Sequence, residues 1–367
     1  MPKAAVCRAM NEPLTIEELD LEAPKSGEVR VKMGASGVCH SDLSLQNGTL
    51  FGMYPIVLGH EGAGVIDEVG EGVEGLAVGD HVVISWVPQC GECFYCKRGQ
   101  GWLCEAAAAG LASGGLMDGT SRWSKDGEAI MQMACTGTFS ESAVIPAIGA
   151  VKVPNDIPLE IAALIGCGVL TGVGAALNTA DIKPGDTVAV LGCGGVGLNV
   201  IQGAKIAGAE RIIAIDMIEN KLKMAEQFGA TDLVNASEVD AVSKVMEITG
   251  QGADVAFEVI GLKQTIDQTI NMTRRGGEAV LVGVPKMEVM LELPAFFSVV
   301  LMSKTIKGCW YGSSNVQTDV PKLIGLYKEG KLMLDELISR RIDLEDVNDA
   351  FRAMEAGEVA RTVINYS

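Results

Sequence analysis

Four cysteines lie close together and have the spacing of a metal-binding loop. They are Cys90, Cys93, Cys96 and Cys104, in the pattern Cys-x2-Cys-x2-Cys-x7-Cys. Zn²⁺ is bound tetrahedrally by four thiolates, and a closed Cys₄ shell is typical of a structural ion. The pattern therefore predicts a structural zinc lobe over residues 90–104, with buried unliganded cysteines or an iron–sulfur cluster as alternatives.

A second set of metal-ligating residue types is dispersed along the chain. Cys39 lies in GVCHSD, His60 in GHEG and Cys167 in GCGV. Two thiolates and one imidazole leave one position of a tetrahedral zinc open, as a catalytic site requires. The residues alone nevertheless favour a simpler interpretation, in which the cysteines pack in the core and the histidine is a satisfied buried side chain.

A glycine-rich turn follows the apolar segment TVAVL and precedes a helical segment, in the pattern G-x-G-x-x-G. Gly192 would permit a tight turn, Gly194 would let the backbone approach a pyrophosphate, and Gly197 would let helix and strand pack closely. Gly195 and Val196 open the helix, whose N-terminal amides and dipole would hold the phosphates. The context therefore predicts a dinucleotide site.

Asp216 ends the next predicted strand, 19 residues after Gly197. A carboxylate there accepts both ribose hydroxyls and repels a 2′-phosphate, so we expect NAD rather than NADP. Lys221 is near enough along the chain to reach the same ribose. The alternative is a plain glycine turn followed by a helix-capping aspartate, but strand, helix and acid in register favour the dinucleotide.

The elements that must position these residues change in type near Pro158. Before it, short apolar runs such as 28–33, 64–69 and 81–85 predict a mostly β domain. Residues 158–180 have helical character. From Asp186 onward strands and helices alternate, which predicts a parallel sheet covered on both faces. The predicted strands are 187–191, 211–215, 254–259 and 278–282, and the predicted helices are 196–207, 221–228, 238–249 and 263–273, then 316–329 and 344–356.

Composition excludes several classes of partner. The chain has 367 residues, with 29 Lys and Arg against 47 Asp and Glu, for a formal charge of −18. Such a surface repels nucleic-acid phosphates and anionic lipid, so we expect neither nucleic acid nor membrane as a partner. No signal peptide is visible, and no uninterrupted apolar stretch reaches the ~18 residues of a membrane span. We expect a cytoplasmic protein with a small-molecule substrate.

These motifs occur in the order found in zinc-dependent medium-chain alcohol dehydrogenases, which the chain resembles over its full length. The motifs are GVCHSD, GHEGAGVIDEVGEGV, the four-cysteine lobe, DGTSRW, IGCGVLTGVGAA, GCGGVG, FEVIG and ARTVINYS. The loop around 110–135 resembles the branch with animal liver alcohol dehydrogenase, glutathione-dependent formaldehyde dehydrogenases, and bacterial aryl-alcohol and nicotinoprotein enzymes. The resemblance implies an α/β fold, in which a Rossmann doubly wound parallel sheet (169–311) is inserted in a mostly β GroES-like catalytic domain (1–168 and 312–367).

The resemblance also implies roles for residues around the catalytic zinc. Cys39, His60 and Cys167 become its ligands. Asp42 orients His60, Glu61 sits behind the ion and ligates it transiently, and Ser41 hydrogen-bonds the bound alcohol and carries its proton away.

Further roles concern the cofactor. By the same resemblance, His40 and Arg361 contact the pyrophosphate and Thr171 lies beside the nicotinamide. One position departs from liver-type enzymes, because Ser44 stands where they have a histidine that relays the proton. Proton release must therefore use Ser44, water or another group, and this changes the expected pH profile.

The substrate pocket implied by the resemblance includes Trp86, Met133, Val284 and Trp310. Apolar and aromatic walls favour aromatic or medium-chain primary alcohols over polyols, although Trp310 has the alternative of filling a core gap. The pocket entrance, residues 105–112 (EAAAAGLA), has no Arg or Lys to bind a glutathione carboxylate.

Three hypotheses follow. The first is a primary alcohol dehydrogenase with dissociable NAD and two zinc ions per chain, one catalytic and one structural, in a homodimer or homotetramer with a contact near Thr305–Gly308. The second is a nicotinoprotein alcohol dehydrogenase or aldehyde dismutase that keeps its NAD bound. The third is a non-catalytic, metal-stabilised protein of the same fold.

Overall fold

The chain folds into two compact units in a computed structural model that describes residues 1–366. The first unit comprises Met1–Gly168 and Asn315–Ser367, and the second is Val169–Ser314. The resemblance predicts the second boundary at residue 311, whereas the second unit ends at Ser314. Residues 312–314 stay with the second unit because the Asn178 amide donates to the Gly312 carbonyl and the Ser314 hydroxyl, both at 3.3 Å.

Strands account for most of the first unit and for one sheet of the second. The strands are β1 Lys3–Cys7, β2 Thr15–Glu18, β3 Asp20–Leu21, β4 Glu28–Val38, β5 Ile56–Val57, β6 Glu61–Val69, β7 His81–Ile84, β8 Trp123–Lys125, β9 Glu128–Gln132, β10 Ser142–Pro146, β11 Ala150–Lys152, β12 Thr187–Leu191, β13 Arg211–Asp216, β14 Asp232–Asn235, β15 Ala253–Glu258, β16 Thr273–Leu281, β17 Thr305–Gly308, β18 Ile338–Ile342 and β19 Arg361–Asn365.

The helices flank these strands. They are α1 His40–Gln46, α2 Glu105–Ser113, α3 Leu159–Leu164, α4 Leu170–Gly174, α5 Gly195–Ala207, α6 Glu219–Phe228, α7 Ala241–Thr249, α8 Lys263–Met272, α9 Val316–Lys328 and α10 Val347–Glu355. The π-helical turn Ile165–Val169 joins α3 to α4, and a second π-helical turn, Ala175–Thr179, continues α4 to the end of one helical stretch.

The first unit contains two sheets. One has the order β11-β7-β6-β4-β19-β18, with β10 also paired to β4, and the other has the order β2-β1-β5-β9-β8-β3. Alternate residues of β4, namely Val29, Val31 and Met33, are buried against Ile66 and Ile84 of the neighbouring strands, as expected when one sheet face covers a core. The central position of β4 matters for the site, because β6 and β19 lie on either side of it.

The second unit is a six-stranded sheet of the order β14-β13-β12-β15-β16-β17 in which every neighbouring pair is parallel. From β12 the chain proceeds outward through β13 to β14, then returns to the other side of β12 for β15. This reversal is the switch point of a doubly wound sheet, where such folds bind ligands at the carboxyl ends of the strands. The predicted fold class is confirmed.

The helical stretch Leu159–Thr179 is 21 residues long, and its most apolar 18-residue window has a mean hydropathy of 1.8, so by length and composition alone it could cross a membrane. However, 83% of its most apolar window is buried inside the protein, as in a core helix. Glycines and Thr171 interrupt the run, which is why the sequence shows no continuous apolar segment of membrane length.

Helix α2 and strand β14 are among the elements that the sequence does not predict. Helix α2 contains the predicted pocket entrance, and its several alanines, which have the highest helix propensity, are the sequence signal for it. Strand β14 has the sequence DLVN, whose polar first and last residues do not give a strand pattern. Pairing with β13 fixes this short strand.

Candidate active site and metal-binding lobe

The start of helix α1 positions two residues of the candidate metal site. Cys39 precedes the helix in extended conformation, and its backbone amide donates to Oδ2 of Asp42 at 2.8 Å. A carboxylate at this position satisfies a free amide of the first turn and is favoured by the helix dipole. Oδ1 of the same carboxylate accepts a hydrogen bond from Nδ1 of His60 at 2.8 Å. Asp42 therefore ties helix α1 to the residue that precedes β6.

Four buried side chains meet at this point: Cys39, His60, Glu61 and Cys167 place their ligand atoms within 4.8 Å of one another. Cys167 comes from the π-helical turn Ile165–Val169, a local irregularity that is frequent at functional sites. Because Asp42 occupies Nδ1 of His60, Nε2 is the nitrogen left for a metal. Two sulfurs, an imidazole nitrogen and a carboxylate oxygen are donors that zinc accepts, so the residues fit the ion.

The pKa values of Cys39, His60 and Asp42 depend on one another. Hydrogen bonds from Cys167 and His60 hold the pKa of Cys39 well below its usual range, against the effect of burial. Burial lowers the pKa of His60, but the charge and hydrogen bond of Asp42 and the hydrogen bond of Cys39 outweigh it and raise the pKa to about 10. Burial also raises the pKa of Asp42, and the charge of His60 opposes that shift. A divalent cation bound here would displace protons from its ligands.

Arg361 and Glu61 form an ion pair next to this cluster. The Arg361 side chain is 6% exposed and that of Glu61 is fully buried, and Nη2 of Arg361 contacts Oε2 of Glu61. The second oxygen, Oε1, has no hydrogen-bond partner among residues 1–366, which leaves a lone pair for a metal. Gly37 of β4 makes room for the pair, because a Cβ there would overlap the Glu61 carboxylate. The predicted contact of Arg361 with a pyrophosphate stays a prediction.

The four-cysteine lobe has a second compact donor set. Ligand atoms of Cys90, Cys93, Cys96 and Cys104 all lie within 4.8 Å of one another, and no disulfide occurs among the described residues. Backbone amides of Cys90, Cys93 and Cys96 point at the sulfurs of Cys104, Cys90 and Cys93, at 3.4 to 3.5 Å. The amide of Cys96 lowers the pKa of Cys93 to about 6, which favours the thiolate that zinc binds. These donors fit a closed zinc site.

Replacing Cys104 by Ser will remove the zinc of this lobe. Because Cys104 is 1% exposed and the ion crosslinks the loop, we expect the free energy of unfolding to fall by roughly 3 kcal/mol. Metal analysis should give one zinc fewer per chain, and chemical denaturation measures the stability. Cys135→Ser, which alters another buried cysteine outside the lobe, is the control and should keep its zinc; equal zinc content in both variants would contradict the assignment.

The glycine turn of the second unit has the geometry of a dinucleotide site. Gly192 has φ +104°, and a Cβ on Gly197 would overlap the Gly192 carbonyl oxygen, so both positions require glycine. Gly194 precedes α5, and nothing lies within 4 Å of the place its Cβ would take. This open space lets a ligand approach the N-terminal amides of the helix, which Gly195 and Val196 begin. A pyrophosphate therefore fits the turn.

Asp216 lies at the end of β13 with its carboxylate held by backbone amides. Oδ2 accepts from Cys193 at 2.9 Å, and Oδ1 accepts from Met217 at 2.8 Å and Ile218 at 3.0 Å. The acid is thus anchored directly to the glycine turn. The remaining predicted cofactor residues lie at exposed or half-buried positions: His40 in α1, Thr171 in α4 and Lys221 in α6; the predicted catalytic residue Ser41 is half-buried in α1.

The four predicted pocket residues divide between the two units. Trp86 and Met133 share one apolar cluster of the first unit, and the Trp86 ring meets the His60 ring edge-on at a centroid distance of 6.1 Å. Val284 and Trp310 belong to the second unit and are 40% and 42% exposed. An exposure of 42% disfavours the alternative in which Trp310 fills a core gap.

Arg122 and Glu258 are buried charged residues that the sequence patterns do not single out. Arg122 is 1% exposed and pairs with Glu28 and Asp118, which fixes the segment before β8. Glu258, the last residue of β15, is fully buried. A carboxylate closing the apolar strand VAFE was the available signal for Glu258, whereas nothing in the motif DGTSRW distinguished a buried arginine from an exposed one.

Comparison with known families matches both parts of the chain. Residues 25–155 match the family described as alcohol dehydrogenase GroES-like domain, and residues 195–329 match the family described as zinc-binding dehydrogenase. The chain is 42% identical over 368 residues to an NDMA-dependent alcohol dehydrogenase of Amycolatopsis methanolica, covering 100% of this chain and 99% of that protein.

Solved structures agree with these matches over the same length. An alcohol dehydrogenase zinc-binding domain protein from Burkholderia ambifaria superposes with a TM-score of 0.95 at 36% identity, and benzyl alcohol dehydrogenase from Acinetobacter calcoaceticus with a TM-score of 0.94 at 31% identity. Each comparison covers 100% of this chain and 99% of the other. Whole-chain similarity at this level, together with two clustered donor sets and a glycine turn, establishes that the chain belongs to the zinc-dependent medium-chain alcohol dehydrogenase family.

Proposed function

We propose that this chain oxidises apolar primary alcohols to aldehydes, or catalyses the reverse reaction, with NAD as the hydride acceptor and two zinc ions per chain. The observation that carries the proposal is the buried cluster of Cys39, His60, Glu61 and Cys167, whose ligand atoms lie within 4.8 Å of one another. Clustering of these residue types is characteristic of a metal site rather than of a packed core.

Two donor sets would hold the metals. Cys39, His60 and Cys167, with Glu61 as a transient fourth donor, would hold the catalytic ion, and the four cysteines of the lobe would hold the structural one. When bound, the catalytic ion supplies a Lewis acid that lowers the pKa of an alcohol hydroxyl.

The remaining chemistry is done by the chain's own side chains near α1. Asp42 fixes the ring orientation and tautomer of His60 through the bond to Nδ1. Ser41 lies two residues after Cys39 and is half-buried, and we assign to its Oγ the role of accepting the alcohol proton and passing it toward solvent. Oxidation of the alcohol then releases one proton and transfers one hydride to NAD, giving the aldehyde and NADH.

Specificity for NAD over NADP is attributed to Asp216. Its carboxylate is held in place by three backbone amides, so it cannot turn away from an approaching 2′-phosphate without losing those bonds. The glycine turn would hold the pyrophosphate. His40, Arg361, Thr171 and Lys221 complete the proposed cofactor contacts.

An apolar alcohol is supported by the surroundings of His60. Trp86 and Met133 occupy an apolar cluster, and the Trp86 ring lies against His60. Helix α2, which includes the predicted entrance, carries no cationic side chain, and its Leu111 is 43% exposed. One structural relative is named benzyl alcohol dehydrogenase, which agrees with an aromatic substrate.

Turnover of zinc-loaded protein tests the proposal directly. NADH absorbance should grow when NAD is supplied with benzyl alcohol or hexanol, and should grow far less with glycerol, because a polyol leaves its hydroxyls unpaired against apolar walls. Metal analysis should give two zinc ions per chain. A protein that carries both ions yet oxidises no primary alcohol with NAD, and holds no bound nucleotide, would refute the proposal.

A nicotinoprotein is the second candidate, because a relative 42% identical over the whole chain is named NDMA-dependent alcohol dehydrogenase. In this version NAD stays bound and a second substrate reoxidises it. Mass spectrometry of the denatured protein distinguishes the two versions: stoichiometric NAD after extensive dialysis supports the nicotinoprotein, and nucleotide-free protein supports dissociable NAD.

Ser44 predicts an unusual pH dependence. Ser44 lies in α1 and is half-buried, and a serine does not titrate near neutrality. We expect Ser44→His to add an ionisation near pH ~6.5 to the profile of alcohol oxidation, with activity rising as the imidazole loses its proton and becomes a base. Ser44→Asn, similar in size to histidine but not titratable, is the control and should show the wild-type profile. Identical profiles for all three proteins would argue against a proton route at this position.

A second copy of the chain is the proposed partner. Segment 284–301 of the second unit exposes apolar side chains, among them Met287 at 73%, Phe297 at 68% and Val300 at 66%, and β17 at the sheet edge follows it. Exposed apolar patches and unpaired strand edges mark interfaces. We expect light scattering to show a dimer or tetramer that Phe297→Lys weakens, whereas Met217→Lys, at a residue equally exposed (66%) elsewhere in this unit, should leave it intact. A monomeric wild-type protein would contradict the proposal.

A further inference from the structure

Glu258 occupies the switch point of the parallel sheet. It is the last residue of β15, its side chain is fully buried, and it lies in register with Leu191 at the end of β12 and Leu281 at the end of β16. The glycine turn begins at the next residue after Leu191. Doubly wound sheets bind ligands at the carboxyl ends of the strands on either side of such a reversal.

One oxygen of Glu258 fixes the loop that follows β15. Oε1 accepts hydrogen bonds from the backbone amides of Ile260 at 3.0 Å and Gly261 at 2.8 Å, and from the hydroxyl of Thr265 at 2.6 Å. The carboxylate therefore ties loop 259–262 to the first turn of α8. Hydrogen bonds to a charged acceptor are among the stronger ones in proteins.

The same residue also holds the loop that follows β16. Its backbone carbonyl accepts from Val282 at 2.8 Å and Gly283 at 3.1 Å. Its second oxygen, Oε2, has no hydrogen-bond partner among residues 1–366, and a Cβ on Gly283 would lie 2.6 Å from it. The carboxylate is thus wedged between loops 259–262 and 282–284, the second of which contains the proposed pocket residue Val284.

Burying a carboxylate in the protein interior costs free energy of desolvation. An apolar side chain of similar size would pack there without the desolvation cost that a charge pays in a fully buried position. Three donors directed at one oxygen, together with glycine at the place the other oxygen occupies, indicate that the carboxylate is retained to set the positions of two loops.

The glycine turn has anchors other than this carboxylate, although Ile260 of loop 259–262 lies beside Gly192. The amide of Gly192 donates to the Ile215 carbonyl at 2.9 Å, and the amide of Cys193 donates to Asp216 at 2.9 Å. Residues at the end of β13 therefore hold the glycine turn through hydrogen bonds in which the Glu258 side chain takes no part. The half of the sheet that starts with β15 receives the second nucleotide of a dinucleotide.

We propose that Glu258 is a positioning residue for the nicotinamide half of the cofactor, acting through loops 259–262 and 282–284. The proposal rests on the proposed function as an NAD enzyme. It predicts that removing the carboxylate weakens the binding of a ligand that contains nicotinamide more than the binding of one that lacks it. A purely structural role would weaken the binding of both ligands alike.

Binding of NADH and of ADP-ribose, which lacks the nicotinamide, separates these possibilities. Zinc-loaded protein is first treated with charcoal to remove any co-purified nucleotide, and each ligand is titrated by calorimetry. We expect Glu258→Ala to weaken NADH about tenfold or more while ADP-ribose changes by no more than about twofold. Glu258→Gln keeps an oxygen acceptor at Oε1 and should restore most of the NADH affinity.

A pair of threonines on α8 keeps the test valid if Glu258→Ala does not fold. Thr265→Val removes one donor to Oε1, and we expect it to weaken NADH about threefold or more. Thr269→Val makes the same change four residues further along the helix, at a fully buried hydroxyl without a hydrogen-bond partner among the described residues, and should leave NADH binding unchanged.

Two outcomes overturn the inference. Equal weakening of NADH and ADP-ribose in the Glu258 and Thr265 variants would make Glu258 a general structural brace, and unchanged NADH affinity would remove its role altogether. Failure of the proposed function looks different, because the wild-type protein itself would then bind neither ligand.

Discussion

Cys39→Ser will abolish alcohol oxidation while leaving the fold in place. Cys39 meets His60, Glu61 and Cys167 in the buried cluster, and a serine oxygen is a far poorer zinc ligand than a thiolate. Because the ion supplies several kcal/mol of charge stabilisation, we expect kcat/KM for benzyl alcohol to fall by about 10³-fold or more. Metal analysis should show that one zinc per chain is lost and that the zinc of the four-cysteine lobe remains.

A buried cysteine of the same unit provides the matched control. Cys7 is fully buried, and its thiol donates to the Ala9 carbonyl at 3.3 Å, a bond that a serine hydroxyl can also make. Cys7→Ser should retain both zinc ions and nearly all activity. Full activity in Cys39→Ser, or a loss of activity with zinc content unchanged, would show that the cluster does not hold the catalytic ion.

Asp216→Asn will shift the cofactor preference toward NADP. The native carboxylate repels a 2′-phosphate, and neutralising it removes that repulsion together with one acceptor for the amide of Cys193. We expect the ratio of kcat/KM for NADP to that for NAD to rise by about 10²-fold, which corresponds to a like-charge repulsion of a few kcal/mol at a protein surface.

A variant that neutralises a nearby acid controls for the change in net charge. Glu219 is the first residue of α6, three positions after Asp216, and is exposed. Glu219→Gln changes the net charge by the same amount but should leave the preference for NAD intact. If both variants shift the preference equally, the effect belongs to the general field of this surface and not to a contact made by Asp216.

The sequence predicted the second unit better than the first. Strands such as β12 are continuous apolar runs and helices such as α5 begin at glycine-rich turns, so local patterns determine both elements. In the first unit the sheet brings together strands far apart along the chain, for example β4 with β19. No local pattern encodes such pairing, and only the resemblance to a family supplied it.

The candidate site shows the same division between local and long-range information. The spacing of the lobe cysteines predicted their cluster directly, because a short loop keeps its donors close. The cluster of Cys39, His60 and Cys167 forms only after the sheet and the helical stretch Leu159–Thr179 have packed, so the residues alone favoured a plain core. The pairing of Arg361 with Glu61 depends on the same sheet order.

The position of β19 between β4 and β18 has a consequence for synthesis on the ribosome. Residues 169–314 emerge before Arg361–Asn365, so the parallel-sheet unit can fold while the first unit still lacks an interior strand. Until that strand arrives, residues 35–38 of β4, beyond the part paired with β10, lack a neighbouring strand on one side, and the Glu61 carboxylate lacks its cationic partner. A nascent chain can therefore pass through a stage in which the parallel-sheet unit is complete while Glu61, beside Cys39, His60 and Cys167, still lacks its partner Arg361.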